Sequence, residues 1–198
     1  MSKAELDYFA PFLSLWLACN SWYRSHYSEL TARNNPRKSP TDRDFIDKIK
    51  SDTSGRNHLY TAFKKKIDSN DRNFKTNLEL LHKALNRLSI KPDKIIYQIS
   101  FNKLLIDYEK KDQDLGYINI IRSPKIKKNG DVGLTDQASV VKLDQIYITS
   151  DLSVVFGGVF ELIYQIRNQL VHGHLNPEKD EHEMVKYCYM ILNDLMRG

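Results

Sequence analysis

With 198 residues, the chain is long enough for one substantial hydrophobic core, and no shift in composition marks a second domain. Its 41% hydrophobic and 28% charged residues, with eight glycines and six prolines, exclude a disordered or collagen-like chain and favour helices. The net charge of +5 favours a polyanionic partner, although many basic proteins bind nothing acidic. We therefore predict a single, mainly α domain over residues 1–198.

Cysteine usage and hydropathy predict a cytoplasmic protein. Cys19 and Cys188 both fall in apolar helical segments, so buried free thiols are expected rather than a disulfide. No apolar run is long enough to span a membrane, and acidic residues stand where a signal peptide would have basic ones. We therefore expect no membrane association. We also expect no metal and no cofactor, because the sequence has no ligand-spaced Cys/His set, acidic metal cluster or Gly-rich phosphate loop.

The first predicted helix carries apolar and aromatic residues at steps of three and four, which we assign to the core. This stripe consists of Phe9, Leu13, Trp16, Asn20, Tyr23, Tyr27 and Leu30. Asn20 is the exception on it, since a buried amide needs a hydrogen-bond partner. The amide either satisfies a polar group of the core or braces a functional site.

Three more helices are predicted after a loop at residues 33–42. Thr41 or Ser39 can cap the first of them, which starts at Phe45, and two more cover residues 58–67 and 70–90. The helix predicted at residues 58–67 carries Lys64 and Lys65. A run of lysines is usually a solvated helix face, although it can also follow RNA phosphates.

Residues 92–150 differ from the rest of the chain. β-Branched and aromatic runs at residues 117–121 and 145–149 predict two strands, Asn129–Gly130 predicts a turn, and residues 99–108 predict a helix beneath them. Basic residues gather at this hairpin, namely Arg122, Lys125, Lys127 and Lys128. They form either a solvated tip or a set of contacts to an RNA backbone.

A long apolar-periodic segment then leads to the most informative part of the sequence. Its core face is formed by Leu152, Phe156, Val159, Ile163, Ile166 and Leu170. Gly173, directly after this segment, predicts a left-handed residue that ends the helix, so His172 lies in the last turn, where the helix dipole favours an imidazolium. A Pro-started segment from residue 176 predicts a closing helix that lies antiparallel to this one.

Arg167 and His172 are the candidate catalytic pair. An arginine can hold a phosphate while a histidine moves a proton, although such a pair can also be solvated groups that offset the helix dipole. The order Arg167, Asn168, three residues, His172 and Gly173 resembles the signature of the HEPN superfamily (higher eukaryotes and prokaryotes nucleotide-binding), an arginine followed after four to six residues by a histidine. Residues 12–23 also resemble an aromatic HEPN helix with an embedded asparagine.

The resemblance implies a HEPN-like helical bundle in which residues 92–150 are an insertion. It also implies a homodimeric, metal-independent endoribonuclease in which the arginine and histidine of two protomers share one cleft. With no metal set, the reaction open to this pair is attack by the ribose 2′-OH, which leaves a 2′,3′-cyclic phosphate and a 5′-OH. Asn168, His174 and Asn20 are the supporting residues.

HEPN relatives of this kind imply a toxin or antiviral defence effector that acts on single-stranded RNA, either tRNA or mRNA, under the control of an antitoxin or another regulatory partner. Many HEPN toxins carry a tyrosine two places after the histidine, but His174 stands there in this chain, so we do not expect modification at that position. Two alternatives are a catalytically silent HEPN-like scaffold and a helical RNA-binding protein that uses its basic loops. The presence of both Arg167 and His172 favours the enzyme.

Overall fold

A computed structural model describes residues 7–30, 39–89, 121–122, 124–175 and 179–198. These residues are mainly helical, which confirms the predicted class. The elements in chain order are α1 (Phe9–His26), α2 (Asp42–Ser51), α3 (His58–Asp68), α4 (Arg72–Ser89), β1 (Ile121–Arg122), α5 (Leu134–Gln137), β2 (Val140–Lys142), β3 (Tyr147–Thr149), α6 (Leu152–Val171) and α7 (Lys179–Arg197). The predicted helix at 99–108, most of the strand at 117–121, most of the loop at 33–42 and the start of the closing segment at 176–178 lie outside the described residues.

The hydrophobic core lies between the long helices. α7 packs mainly against α4 and α1, whereas α6 packs mainly against α2. The sequence places α7 beside α6, but the contacts between these two helices are fewer. The apolar face of α7 consists of buried side chains at helical spacing, namely Met184, Val185, Cys188, Ile191, Leu192 and Leu195.

The buried face of α1 is rotated from the predicted one. The fully buried residues are Phe12, Trp16, Cys19, Tyr23 and Tyr27. Leu13 and Asn20 are only half-buried, so placing Asn20 in the core was wrong. Both stripes have helical spacing and share Trp16, Tyr23 and Tyr27. The choice between the remaining positions depends on tertiary contacts that spacing alone does not contain.

α2 begins with a complete capping box. The Thr41 hydroxyl accepts a hydrogen bond from the backbone N–H of Asp44, and the Asp44 carboxylate accepts one from the backbone N–H of Thr41. This confirms Thr41 as a cap. The first turn of α2 also carries Asp42, which faces Arg167 in the C-terminal half of α6.

A small antiparallel sheet precedes α6, with strand order β1–β3–β2. Sequence analysis missed β2, because three residues are too few to show an alternating pattern. The turn between β2 and β3 is held by the buried Glu79 of α4, whose carboxylate accepts backbone N–H groups of Asp144 at 3.0 Å and Gln145 at 2.6 Å. The predicted turn at Asn129–Gly130 is present, with Gly130 at φ +87°.

Both cysteines are buried and unpaired, as predicted. Burial raises the pKa of the Cys19 thiol to about 12, and it raises the pKa of Cys188 as well. These thiols are therefore packing residues rather than nucleophiles. Within the described ranges, no helix combines the length and apolar character that a bilayer crossing requires.

Candidate functional site

The candidate site lies at the C-terminal end of α6, which closes with two hydrogen bonds. The N–H of His174 donates to the carbonyl of Gln169 at 2.9 Å, and the N–H of Gly173 donates to that of Leu170 at 3.1 Å. Gly173 has φ +69°, so this end is a Schellman motif with glycine at the left-handed position. The predicted helix end is confirmed, and it places His172 and His174 on either side of a fixed turn.

Arg167 is held by several neighbours. Its guanidinium carbon lies 5.6 Å from the centre of the Trp16 ring, and Nη1 donates to Oδ1 of Asn168 at 2.9 Å. Nη2 lies 3.9 Å from Oδ2 of Asp42, and the side chain is 19% exposed. Nε is buried and has no hydrogen-bond partner among the described residues. The guanidinium is thus oriented but not saturated.

Asn20 reaches Arg167 through two intermediates. Its Oδ1 accepts a hydrogen bond from Nε of Arg24 at 2.9 Å. Arg24 Nη2 in turn forms a short ion pair with Oδ1 of Asp42, whose other carboxylate oxygen faces Arg167. The structure therefore supports a bracing role for Asn20 rather than a role in the core.

His172 and His174 are exposed, with ring centres 6.1 Å apart. His172 is the C-cap residue of α6, where its backbone N–H donates to the carbonyl of Asn168. The described contacts include no hydrogen bond between His172 and Arg167. The structure thus brings the two candidate groups to one helix end, with the arginine anchored and the imidazole open to solvent.

A second polar cluster lies on α6, centred on Glu161 and nearly two turns before Arg167. Oε1 of Glu161 accepts a hydrogen bond from Arg43 at 2.6 Å, and Oε2 accepts one from Lys50 at 2.5 Å. Gln165 also donates to Glu161 at 2.7 Å. Burial acts to raise the pKa of Glu161, but the hydrogen bonds from Arg43, Lys50 and Gln165 outweigh it and lower the pKa to about 2. Glu161 thus ties α2 to α6.

Replacing Glu161 with glutamine should lower the free energy of unfolding by about 3 kcal/mol at pH 7, because two partly buried cations lose their anion. The folded-state pKa of about 2 lies below the ordinary value of 4.5. The stabilisation is therefore complete above pH 4.5 and is lost as the pH falls towards 2.

Urea unfolding of wild type and Glu161→Gln between pH 7 and 2.5 measures this difference. The exposed Asp68, on α3, gives the control variant Asp68→Asn, which should change the free energy by less than about 0.5 kcal/mol. A difference between wild type and Glu161→Gln that is the same at every pH would contradict the assignment.

The basic candidates lie away from the Arg167 site. Lys64 and Lys65 are exposed on α3, whose Phe63 packs against Phe156 in the N-terminal part of α6. Arg122 pairs with Tyr147 in the sheet that directly precedes α6, and the exposed Lys125, Lys127 and Lys128 follow it. The 20 residues of α6 rise about 30 Å. The basic residues are associated with the N-terminal end of this helix, whereas the Arg167 site lies near its C-terminal end.

Comparison with known proteins gave no significant match to a family model, a curated protein or a solved structure. The HEPN resemblance therefore rests on Arg167, His172 and their setting, and it stays a prediction. Among the described residues, no group of three or more His, Cys, Asp or Glu side chains is placed to hold a metal ion.

Sequence reasoning missed two residues of the site, Arg24 and Asp42. The spacing of Asn20 and Arg24 by one helical turn was an available signal for their hydrogen bond. No comparable signal pointed to Asp42. It is brought to Arg167 by the packing of α2 on α6, across a long separation in sequence.

Proposed function

We propose that the protein is a metal-independent endoribonuclease of the HEPN type. The observation that carries the proposal is the end of α6, where an oriented guanidinium and an exposed imidazole follow each other along one helix. The side chain of Arg167 is 19% exposed and its Nη2 lies 3.9 Å from Asp42, beyond hydrogen-bond distance, and guanidinium groups bind phosphate oxygens through paired N–H donors. His172 is accessible to a substrate that the arginine holds.

The reaction would use the ribose of the substrate as the nucleophile. The 2′-oxygen loses its proton to a base and attacks the adjacent phosphorus, while the bond from phosphorus to the leaving 5′-oxygen breaks and that oxygen takes a proton from an acid. Arg167 stabilises the charge that develops on the phosphate. The products carry a 2′,3′-cyclic phosphate and a 5′-OH, and DNA is not cleaved because it lacks the nucleophile.

A homodimer would supply both the acid and the base. One chain contributes one motif histidine, and a two-fold axis near the end of α6 would bring a second one. Two large apolar side chains next to site residues in sequence are exposed: Leu17, which follows Trp16, is 65% exposed, and Val171, which precedes His172, is 51% exposed. Burial of these side chains in a contact between two copies would stabilise the dimer.

The resemblance to HEPN toxins supports a biological role as a toxin or antiviral defence effector acting on cytoplasmic tRNA or mRNA. An antitoxin or another regulatory partner would then restrain the enzyme. The basic residues associated with the other end of α6 would contact RNA away from the cleaved phosphate.

One observation favours a second candidate, a catalytically silent RNA-binding or scaffold module. Arg167 is 19% exposed and contacts Trp16, Asn168 and Asp42, which are contacts that a purely structural arginine would also make. Such a module would bind RNA or a protein partner without cleaving it. The two candidates differ in whether RNA strands are cut.

We expect the purified protein to cleave single-stranded RNA in excess EDTA, because the proposed groups need no metal ion. The products should carry 2′,3′-cyclic phosphate and 5′-OH ends. The cyclic phosphate should resist phosphatase, and the 5′-OH should be phosphorylated by a kinase. Arg167→Ala should be inactive, whereas Arg72→Ala, which removes an exposed arginine on α4, should cleave as wild type does. A strict requirement for added metal, or 5′-phosphate products, would contradict the proposal.

A further inference from the structure

Two arginines from different helices converge on one carboxylate. Arg24 of α1 pairs with Oδ1 of Asp42, and Nη2 of Arg167 of α6 lies 3.9 Å from Oδ2 of the same residue. The side chain of Asp42 is 26% exposed, so the meeting point is accessible from solvent.

The two guanidinium groups are held in matching ways. Arg24 lies over the ring of Phe45 at 5.1 Å and donates from Nε to the amide of Asn20. Arg167 lies over the ring of Trp16 at 5.6 Å and donates from Nη1 to the amide of Asn168. Aromatic stacking and a fixed amide acceptor reduce the rotational freedom of a guanidinium and so prepare its remaining N–H groups for a ligand.

A carboxylate between two guanidinium groups resembles a bound phosphate in its charge and in the hydrogen bonds that it can accept. Both are anions with paired oxygens, and the donor fork of arginine suits either of them. We propose that Arg24 is a second phosphate-binding residue beside Arg167, and that Asp42 occupies, in the free protein, the place that a phosphate of single-stranded RNA takes in the complex. The inference deepens the proposed function and rests on it for the identity of the ligand.

The exposure of the three side chains supports the exchange of Asp42 for a phosphate. Arg24 is 46% exposed, so an RNA strand can reach it without unfolding α1. Nη2 of Arg167 lies 3.9 Å from Oδ2 of Asp42, which is beyond hydrogen-bond distance and leaves this group donor capacity for another oxygen. The cap of α2 depends on Thr41 and Asp44, so a change at Asp42 leaves the start of that helix intact.

The test is the binding of a fluorescent 2′-O-methyl RNA, which lacks the nucleophile, measured by anisotropy over a range of salt concentrations. Arg24→Gln should weaken binding about tenfold and reduce the slope of log K against log salt by about one, because one phosphate contact is lost. Asp42→Asn should strengthen binding several-fold, because it removes the anion that competes for both arginines.

Arg56→Gln is the matched control, since Arg56 is an exposed arginine that faces a carboxylate other than Asp42, namely Glu29 at 3.9 Å. It should change the affinity less than twofold. Circular dichroism melting of each variant checks the fold, and Arg24→Lys, which keeps the charge but loses the fork, should bind RNA between wild type and Arg24→Gln.

Wild-type binding by Arg24→Gln would overturn the inference. Weaker binding by Asp42→Asn would overturn it as well, because Asp42 would then support the arginines rather than compete for them. The binding assay involves no cleavage, so it tests the two-arginine site separately from the proposed function. If the variants bind as expected but the protein cuts no RNA, the proposed function is contradicted and the two-arginine site is supported. If the protein cuts RNA while Arg24→Gln binds normally, the two-arginine site is contradicted and the proposed function is supported.

Discussion

Replacing His172 with alanine should lower the rate of RNA cleavage by about 10²–10⁴-fold, which is the contribution expected of a general acid or base. The fold should be unaffected, because the imidazole is exposed and the residue contributes to the helix end through its backbone N–H. A surface substitution of this kind changes the free energy of unfolding by less than about 0.5 kcal/mol. Single-turnover cleavage of a labelled RNA, together with thermal melting, measures both quantities.

His174→Ala is the natural control for this variant. His174 is exposed, and its ring centre lies 6.1 Å from that of His172, so the two variants remove the same group from neighbouring places. We expect a much smaller loss of rate for His174→Ala. Equal losses would show that both imidazoles take part, and wild-type cleavage by His172→Ala would move the active site elsewhere.

A tethered dimer with one inactive protomer should have far less than half of the wild-type activity. The inactive protomer carries Arg167→Ala and His172→Ala, and the two copies are joined covalently so that exchange cannot restore a wild-type pair. If the acid and the base come from different protomers, the double substitution damages the only cleft, and groups that act as a unit lose activity non-additively. Steady-state cleavage per tethered dimer is the measurement.

Two reference dimers define the range of the measurement. A tethered wild-type pair sets full activity, and a pair with both protomers substituted sets the background. Half of full activity, with dimerisation verified by light scattering, would mean that each protomer works alone. In that case His174 would be the best candidate for the second proton-transfer group.

The helices were largely predictable because they depend on local pattern. The apolar steps from Phe156 to Ile166 and the glycine at position 173 place α6 and its end close to where the structure has them. Thr41 was one of two candidate caps because threonine and serine hydroxyls can accept a backbone N–H at the start of a helix, and the structure selects Thr41. These signals need only the neighbouring sequence.

The setting of Arg167 was not predictable from such signals. Asp42 meets Arg167 only because α2 packs against α6, and Arg43 and Lys50 meet Glu161 for the same reason. The face of α1 was ambiguous because two stripes share Trp16, Tyr23 and Tyr27. Helical periodicity says which residues share a face, but it does not say which residue of a distant helix that face will meet.

The left-handed turn at Gly173 has a consequence for how the protein tolerates mutation. A side chain there would meet no atom within 4 Å, so space is not the constraint; the constraint is φ +69°, which costs a non-glycine residue about 1 kcal/mol. The direction of the chain between His172 and His174 is thus set by one backbone angle. A substitution that changes no charge and creates no clash can still redirect the chain after Gly173 and move His174, and the functional end of α6 would lose its geometry while every reactive group remained present.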